Sequence, residues 1–136
     1  MPSTPLPDRI IEFLRQPNPA VMGTLAADGR PVTVATWYLL ENDGRVLLGL
    51  DAERARLKHM RADPRVSLTV LSGADWGTHV SVQGRVVSIE DDAGLRDIDR
   101  LARHYTGQPY PDRVRPRVSA QVEIERWHAW GSLRDH

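Results

Sequence analysis

The chain has 136 residues, with 18 Lys plus Arg against 18 Asp plus Glu and no cysteine. That length builds one domain with a sizeable core and not two. Zero formal charge withholds the diffuse positive field that draws proteins onto nucleic acid or anionic membranes. The missing thiols remove disulfides, thiolate nucleophiles, iron–sulfur clusters and cysteine zinc sites.

Residues 1–8 carry three prolines and no apolar signal-peptide core, and no later run approaches the roughly 18 apolar residues of a membrane span. A soluble cytoplasmic protein of one domain, residues 1–136, is expected. Leu6, Ile10, Ile11, Phe13 and Leu14 recur at helical spacing, and Pro17 and Pro19 end the pattern, which predicts a short helix over 8–15.

The period then becomes alternating. Residues 20–26, 31–40 and 45–50 read as three strands separated by Asp28-Gly29 and Asn42-Asp43-Gly44, turn sequences that tolerate positive φ, so a three-strand meander is expected. Asp51 is a candidate helix cap for residues 51–62, which Asp63-Pro64 stops. Residues 65–71 alternate as a strand, and a long strand follows over 79–89, with Gly84 marking a bulge or a close backbone approach. Glu90-Asp91-Asp92 opens another helix carrying Leu95, Ile98, Leu101, Ala102 and Tyr105 on one stripe and capped by Gly107. A proline-bearing loop over 108–117 leads to a last alternating strand from Val118 into Trp127-His128-Ala129-Trp130. Six strands with tight hairpins and few helices suit a small antiparallel barrel, because closure removes exposed edges.

No GxGxxG, Walker loop, GxSxG, HExxH or EF-hand spacing is present. His59, His79, His104, His128 and His136 are scattered, so no metal site is predicted. The strongest local signal is Asp51-Ala52-Glu53-Arg54-Ala55-Arg56-Leu57-Lys58-His59-Met60-Arg61, with five basic residues at and after a predicted helix start. Cations there oppose the helix dipole at a cost of a few tenths to about 1 kcal/mol each, a cost that a bound anion reverses. From the residues alone, Arg54 and Arg56 read either as a phosphate or carboxylate cradle or as a solvated helix face. Thr33, Ala35 and Trp37 share one strand face, where small residues beside an aromatic admit a flat ring; an ordinary core strand is the other reading. Trp127 and Trp130 read first as packing residues.

The ordered pieces GTLAADGRPVTVATWYLL, DGRVLLGLDAERARLKHMRADPRVSLTVL and HVSVQGRVV, closed by VEIERWHAWG, resemble the FMN-binding split β-barrel superfamily that includes pyridoxamine 5′-phosphate oxidase. Within it they are most similar to the small branch that uses the deazaflavin coenzyme F420. The resemblance implies a mostly β fold, a six- to seven-stranded antiparallel split barrel with two or three short helices, assembled as a homodimer with cofactor sites at the interface. It implies that Arg54 and Arg56 hold the cofactor phosphate and that the ring lies along Thr33, Val34, Ala35, Thr36 and Trp37. Leu50 and His79 occupy further positions that line the cofactor, and Trp130 reaches across from the partner chain.

Relatives in the oxidase branch end in a substrate-phosphate motif that this chain lacks, so that activity is not expected. Arg54 and Arg56 also lack the Ser-Arg-Lys order of many FMN binders, and the Arg-x-basic pattern is closer to the deazaflavin branch. The expected function is therefore an F420-dependent reductase passing a hydride to a small conjugated substrate. Its alternatives are an FMN-dependent oxidoreductase of the same fold and a non-enzymatic flavin, deazaflavin or haem binder. His79, Tyr105 or water is the expected proton donor, with a structural hydrogen bond as the other role for His79.

Overall fold

Gly29 and Gly44 take φ of 86° and 88°, the left-handed conformation that costs glycine nothing, and each closes a hairpin in the computed structural model, which describes residues 5–134. Part of the proline-rich lead and His136 lie outside the described residues. The elements in chain order are α1 (Asp8–Leu14), β1 (Ala20–Leu25), β2 (Pro31–Thr36), β3 (Leu39–Leu40), β4 (Val46–Asp51) and α2 (Ala55–Ala62). After them come β5 (Arg65–Leu71), β6 (His79–Asp91), α3 (Arg96–Thr106) and β7 (Arg117–Trp130). Short 3₁₀ turns at Ala93–Leu95 and Gly131–Leu133 complete the described elements. The described residues are thus mostly β, with one seven-stranded sheet and three helices, as the split-barrel reading expects.

The sheet order is β2-β1-β5-β6-β7-β4-β3, and every pairing is antiparallel. The expected three-strand meander is therefore corrected: β1–β2 and β3–β4 are separate hairpins at opposite ends of that order. The reason lies at residues 37–38. Tyr38 is fully buried and its hydroxyl donates to the Gln16 carbonyl at 3.2 Å, while Trp37 stacks on Tyr105 with centroids 5.3 Å apart and planes 9° from parallel. These anchors turn the chain out of the β2 line, and the expected strand over 31–40 ends at Thr36.

Two helix starts also move. Asp51 does not cap a helix; it ends β4 opposite Arg117 and accepts the Glu53 N–H at 3.0 Å, so α2 begins only at Ala55. The strand expected to stop at Ile89 runs on to Asp91, and Asp92 accepts the N–H groups of Asp97 and Ile98 at 2.9 and 2.8 Å. Those are orphan donors of the first turn of α3. Gly107 ends α3 at φ 77°, as its sequence position suggests.

Alternation fixes where the core sits. Met22, Leu48, Leu50, Val70, Val80 and Ala120 point inward and are almost completely buried, with Ile10 and Leu14 of α1 against them. On the other face of β4, Leu47 packs under Ile98 and Leu101 of α3, each of which contributes roughly 1.5–3 kcal/mol on burial. α2 leans on β1 through His59 Nδ1 and Thr24 Oγ1, 2.9 Å apart. By contrast β2 lies at an end of the sheet order, with Val32 and Val34 38% and 40% exposed. No helix among the described residues is long and apolar enough to cross a membrane.

Candidate functional site

α3 over β4, the turn after β2 and the start of α2 enclose a cavity of about 570 Å³. Its walls differ in chemistry. One is aromatic and apolar: Trp37, Tyr105 and Tyr110, with Ile98 and Leu101 behind them. Trp37 lies flat on Tyr105 and meets Tyr110 edge-on, with centroids 6.3 Å apart. Arg54 and Arg56 line the cavity at the start of α2 beside Asp51, and Arg117 enters from β7 with its guanidinium over the Tyr110 ring.

Each cation is held by a different element. Arg54 precedes the first residue of α2 and Arg56 is its second helical residue, while Arg117 opens β7 directly opposite Asp51 of β4. Arg30, Arg65, Arg100, Arg113 and Arg115 each pair with a carboxylate. No carboxylate among the described residues lies within ion-pair distance of Arg54, Arg56 or Arg117. Arg56 is half-buried, and the polar contact of its guanidinium is with Met22 Sδ at 3.9 Å. Burial, reinforced by the like charges of Arg54 and Arg117, pushes the Arg56 guanidinium below its ordinary pKa. With no ion pair to these three groups among the described residues, a bound anion is a natural partner for them.

The Tyr105 hydroxyl donates to the Asn18 carbonyl at 2.7 Å and accepts from the Tyr38 N–H at 3.4 Å. Burial pushes its pKa up to about 12. It is therefore a fixed wall rather than a ready proton source.

Of the residues singled out from sequence, the fold brings Arg54, Arg56, Ala35, Thr36 and Trp37 to this one cavity. Leu50 is not on it: the residue is fully buried in the core, and its neighbours Gly49 and Asp51 face the cavity instead. Alternation along β4 puts 46, 48 and 50 on the inner side and 49 and 51 on the side of the cavity. Thr33 lines a separate depression with Gly23 and Ser67, and Val34 lies on the open face of β2. His79 and Trp130 pair across β6 and β7, their rings 6.2 Å apart, away from the cavity. His79 Nδ1 lies 3.1 Å from the Trp76 carbonyl.

Arg117 and Tyr110 were missed. The available signal was the Arg113, Arg115, Arg117 alternation with prolines in the 108–117 loop, a basic stretch aimed at whatever β7 begins beside. Arg115 reaches Asp51 at 3.1 Å, and Arg113 reaches Asp99 at 2.6 Å, so this loop is pinned to the end of β4 and to α3. Among the described residues no group of three or more His, Cys, Asp or Glu is placed to hold a metal ion.

A cavity that brings aromatic rings together with guanidinium groups lacking carboxylate partners among the described residues suits a ligand with a flat ring and an anionic arm. Over 126 residues the chain is 32% identical to an F420H(2)-dependent biliverdin reductase of Mycobacterium tuberculosis (strain CDC 1551 / Oshkosh), covering 91% of this chain and 88% of that protein. A solved structure of an F420 reductase matches with TM-score 0.81 at 21% identity, covering 90% of this chain and 98% of that one. A conserved hypothetical protein from Mycobacterium tuberculosis matches at TM-score 0.75 and 25% identity, over 94% and 86% of the two chains. The profile described as pyridoxamine 5′-phosphate oxidase matches residues 6–131, nearly the whole split barrel with its basic helix start, and the chain belongs to that family.

Proposed function

We propose that the protein is an F420-dependent reductase that works as a homodimer and reduces a small conjugated molecule. The observation that carries this reading is the set of three guanidinium groups without carboxylate partners on a cavity walled by Trp37, Tyr105 and Tyr110. Arg54 and Arg56 would hold the phosphate of the cofactor, and the backbone from Ala35 to Trp37 would flank its ring. The N–H groups at the start of α2 add donors to the same anion. When bound, reduced deazaflavin supplies a hydride; the chain's residues supply binding, orientation and exclusion of water. The named F420H(2)-dependent relative supports the cofactor, and its acceptor, biliverdin, is the first acceptor to assay.

The decisive measurement is absorbance and fluorescence titration of the purified protein with F420 and with FMN. Tighter binding of F420, followed by oxidation of F420H(2) on adding biliverdin or another conjugated acceptor, is the expected result. Preference for FMN would replace the cofactor in this proposal, and tight binding without turnover by any acceptor would leave a carrier or sensor.

The homodimer is argued from β2. A strand with a free edge and 38–40% exposed valines is a pairing and aggregation hazard in a lone chain. Covering it with a second copy removes the hazard and extends the cavity wall. It is also the route by which Trp130 would approach a ring from the partner. Val34→Glu is therefore expected to give monomers in sedimentation and to weaken F420 binding at least tenfold; a fully dimeric or fully competent variant would refute the shared site.

A further inference from the structure

The guanidinium of Arg117 is committed on one side and, among the described residues, unpaired on the other. Its carbon lies 4.7 Å from the centre of the Tyr110 ring, and Nη1 reaches the Tyr110 hydroxyl at 3.5 Å. The remaining edge, Nε–H with Nη2, is the one that grips a planar anion with two parallel hydrogen bonds. Nε is buried and has no acceptor among the described residues, a condition that costs free energy unless something completes it. Nη2 faces the floor of the cavity at Gly49, where an added Cβ would sit 4.0 Å from it, as well as 2.9 Å from Leu101 Cδ1 and 3.2 Å from Ile98 Cδ1. Gly49, with Leu101 and Ile98 packed close over it, therefore lets the unpaired edge of Arg117 sit beside the cavity floor.

The charges around it favour a singly charged ligand. Asp51 and Asp112 both feel Arg117 through space, and both are already engaged by Arg115. Arg56 adds a like charge on the cavity side. Two nearby carboxylates oppose a dianionic phosphate at Arg117 more than they oppose one carboxylate, whereas Arg54 and Arg56 carry no acidic partner.

We propose that Arg117 binds a carboxylate of the bound ligand, at a subsite separate from the phosphate cradle of Arg54 and Arg56. The proposal rests on the cavity being the cofactor and substrate site. The carboxylate belongs either to the cofactor or to the acceptor, and the test separates the two.

Arginine Nε–H resonances followed by NMR during titration with glutarate and with inorganic phosphate read the subsite without any cofactor. Glutarate is expected to move the Arg117 Nε–H signal at concentrations where phosphate moves those of Arg54 and Arg56. A signal unmoved by glutarate, or moved by phosphate alone, overturns the proposal.

In the second arm, Arg117→Gln is compared with the unaltered protein. A roughly tenfold loss of affinity for F420, which carries phosphate and carboxylates, with FMN affinity unchanged, assigns the carboxylate to the cofactor. Unchanged affinity for both, with KM for a carboxylate-bearing acceptor raised about tenfold at constant kcat, assigns it to the acceptor. Equal losses for F420 and FMN, or no change in any of these quantities, overturn the proposal. Arg117→Lys keeps the charge and loses the fork, so it should restore only part of the lost affinity; full restoration counts against a two-donor grip. Absence of F420 binding by the unaltered protein would instead be a failure of the cofactor reading, and the glutarate titration would still stand on its own.

Discussion

Arg56→Gln is expected to lower F420 affinity about 10- to 100-fold while leaving the ligand-free protein as stable as before, or slightly more stable. The two halves of that expectation come from the same geometry. Without ligand, Arg56 is a half-buried cation whose guanidinium contact is a thioether, with Arg54 and Arg117 adding repulsion. Removing the charge relieves both the desolvation and the repulsion, and gives up no ion pair among the described residues. With an anion in the cavity the account reverses, because a charged hydrogen bond contributes roughly 1.5–3 kcal/mol and each 1.4 kcal/mol is about a factor of ten in affinity. Salt should act in the same direction as the mutation and less steeply, since a half-buried pair is screened less than an exposed one. Fluorescence titration for affinity and thermal melting of the apo protein check the two halves separately. A melting temperature that falls in step with affinity would make Arg56 a structural residue and sink the cradle.

What could be read ahead of the fold was whatever is decided within a few residues. The turns at Gly29 and Gly44, the strand Arg65–Leu71, the Gly107 cap and the irregularity at Gly84 all follow from local alternation and from which residue tolerates which φ. Arg54 and Arg56 could be seen for the same reason, as cations placed where a helix dipole disfavours them. The order of strands could not. β7 pairs along nearly its whole length with β6 on one side and over Arg117–Val122 with β4 on the other, and no local period announces a partner about 70 residues away. Missing that pairing meant missing Arg117, which reaches the cavity only because Arg117 and Asp51 are opposite each other in the β4–β7 register. The break at Trp37 was hidden likewise: it depends on Gln16, Asn18 and Tyr105, contributed by other elements. Leu50 is a position that the family resemblance implies, and a single step of alternation puts Gly49 and Asp51 on the cavity in its stead.

Gly84→Ala tests the other half of the molecule, the frame that sets the site. At the register shift between Gln83 and Gly84, β6 comes so close to β7 that a Cβ on residue 84 would fall well inside contact with the Glu123 carbonyl oxygen. It would also lie 3.0 Å from the Glu123 carbonyl carbon and 3.2 Å from Ile124 Cα. All three obstacles are backbone atoms of the neighbouring strand, so no rotamer change relieves them and the ladder itself must part. Overpacking of a core typically costs 1–3 kcal/mol, and with backbone as the obstacle about 3 kcal/mol is expected, which lowers Tm by about 10 °C in a domain of this size. Gly44→Ala is the control. It has open space around the new Cβ and only a left-handed φ of 88° to pay for, so about 1 kcal/mol and a shift of a few degrees are expected. Equal shifts for the two variants, or a Gly84→Ala shift under about 2 °C, would mean that β6 and β7 do not approach this closely. Measured below its melting range, the Gly84 variant should still bind F420 nearly as well as the parent, because the bulge lies in the middle of the β6–β7 ladder and the cations lie at its far end. Arg56→Gln should lose affinity and keep stability, and Gly84→Ala should lose stability and keep affinity; that opposition locates the chemistry at the start of α2 and the frame at the β6–β7 bulge.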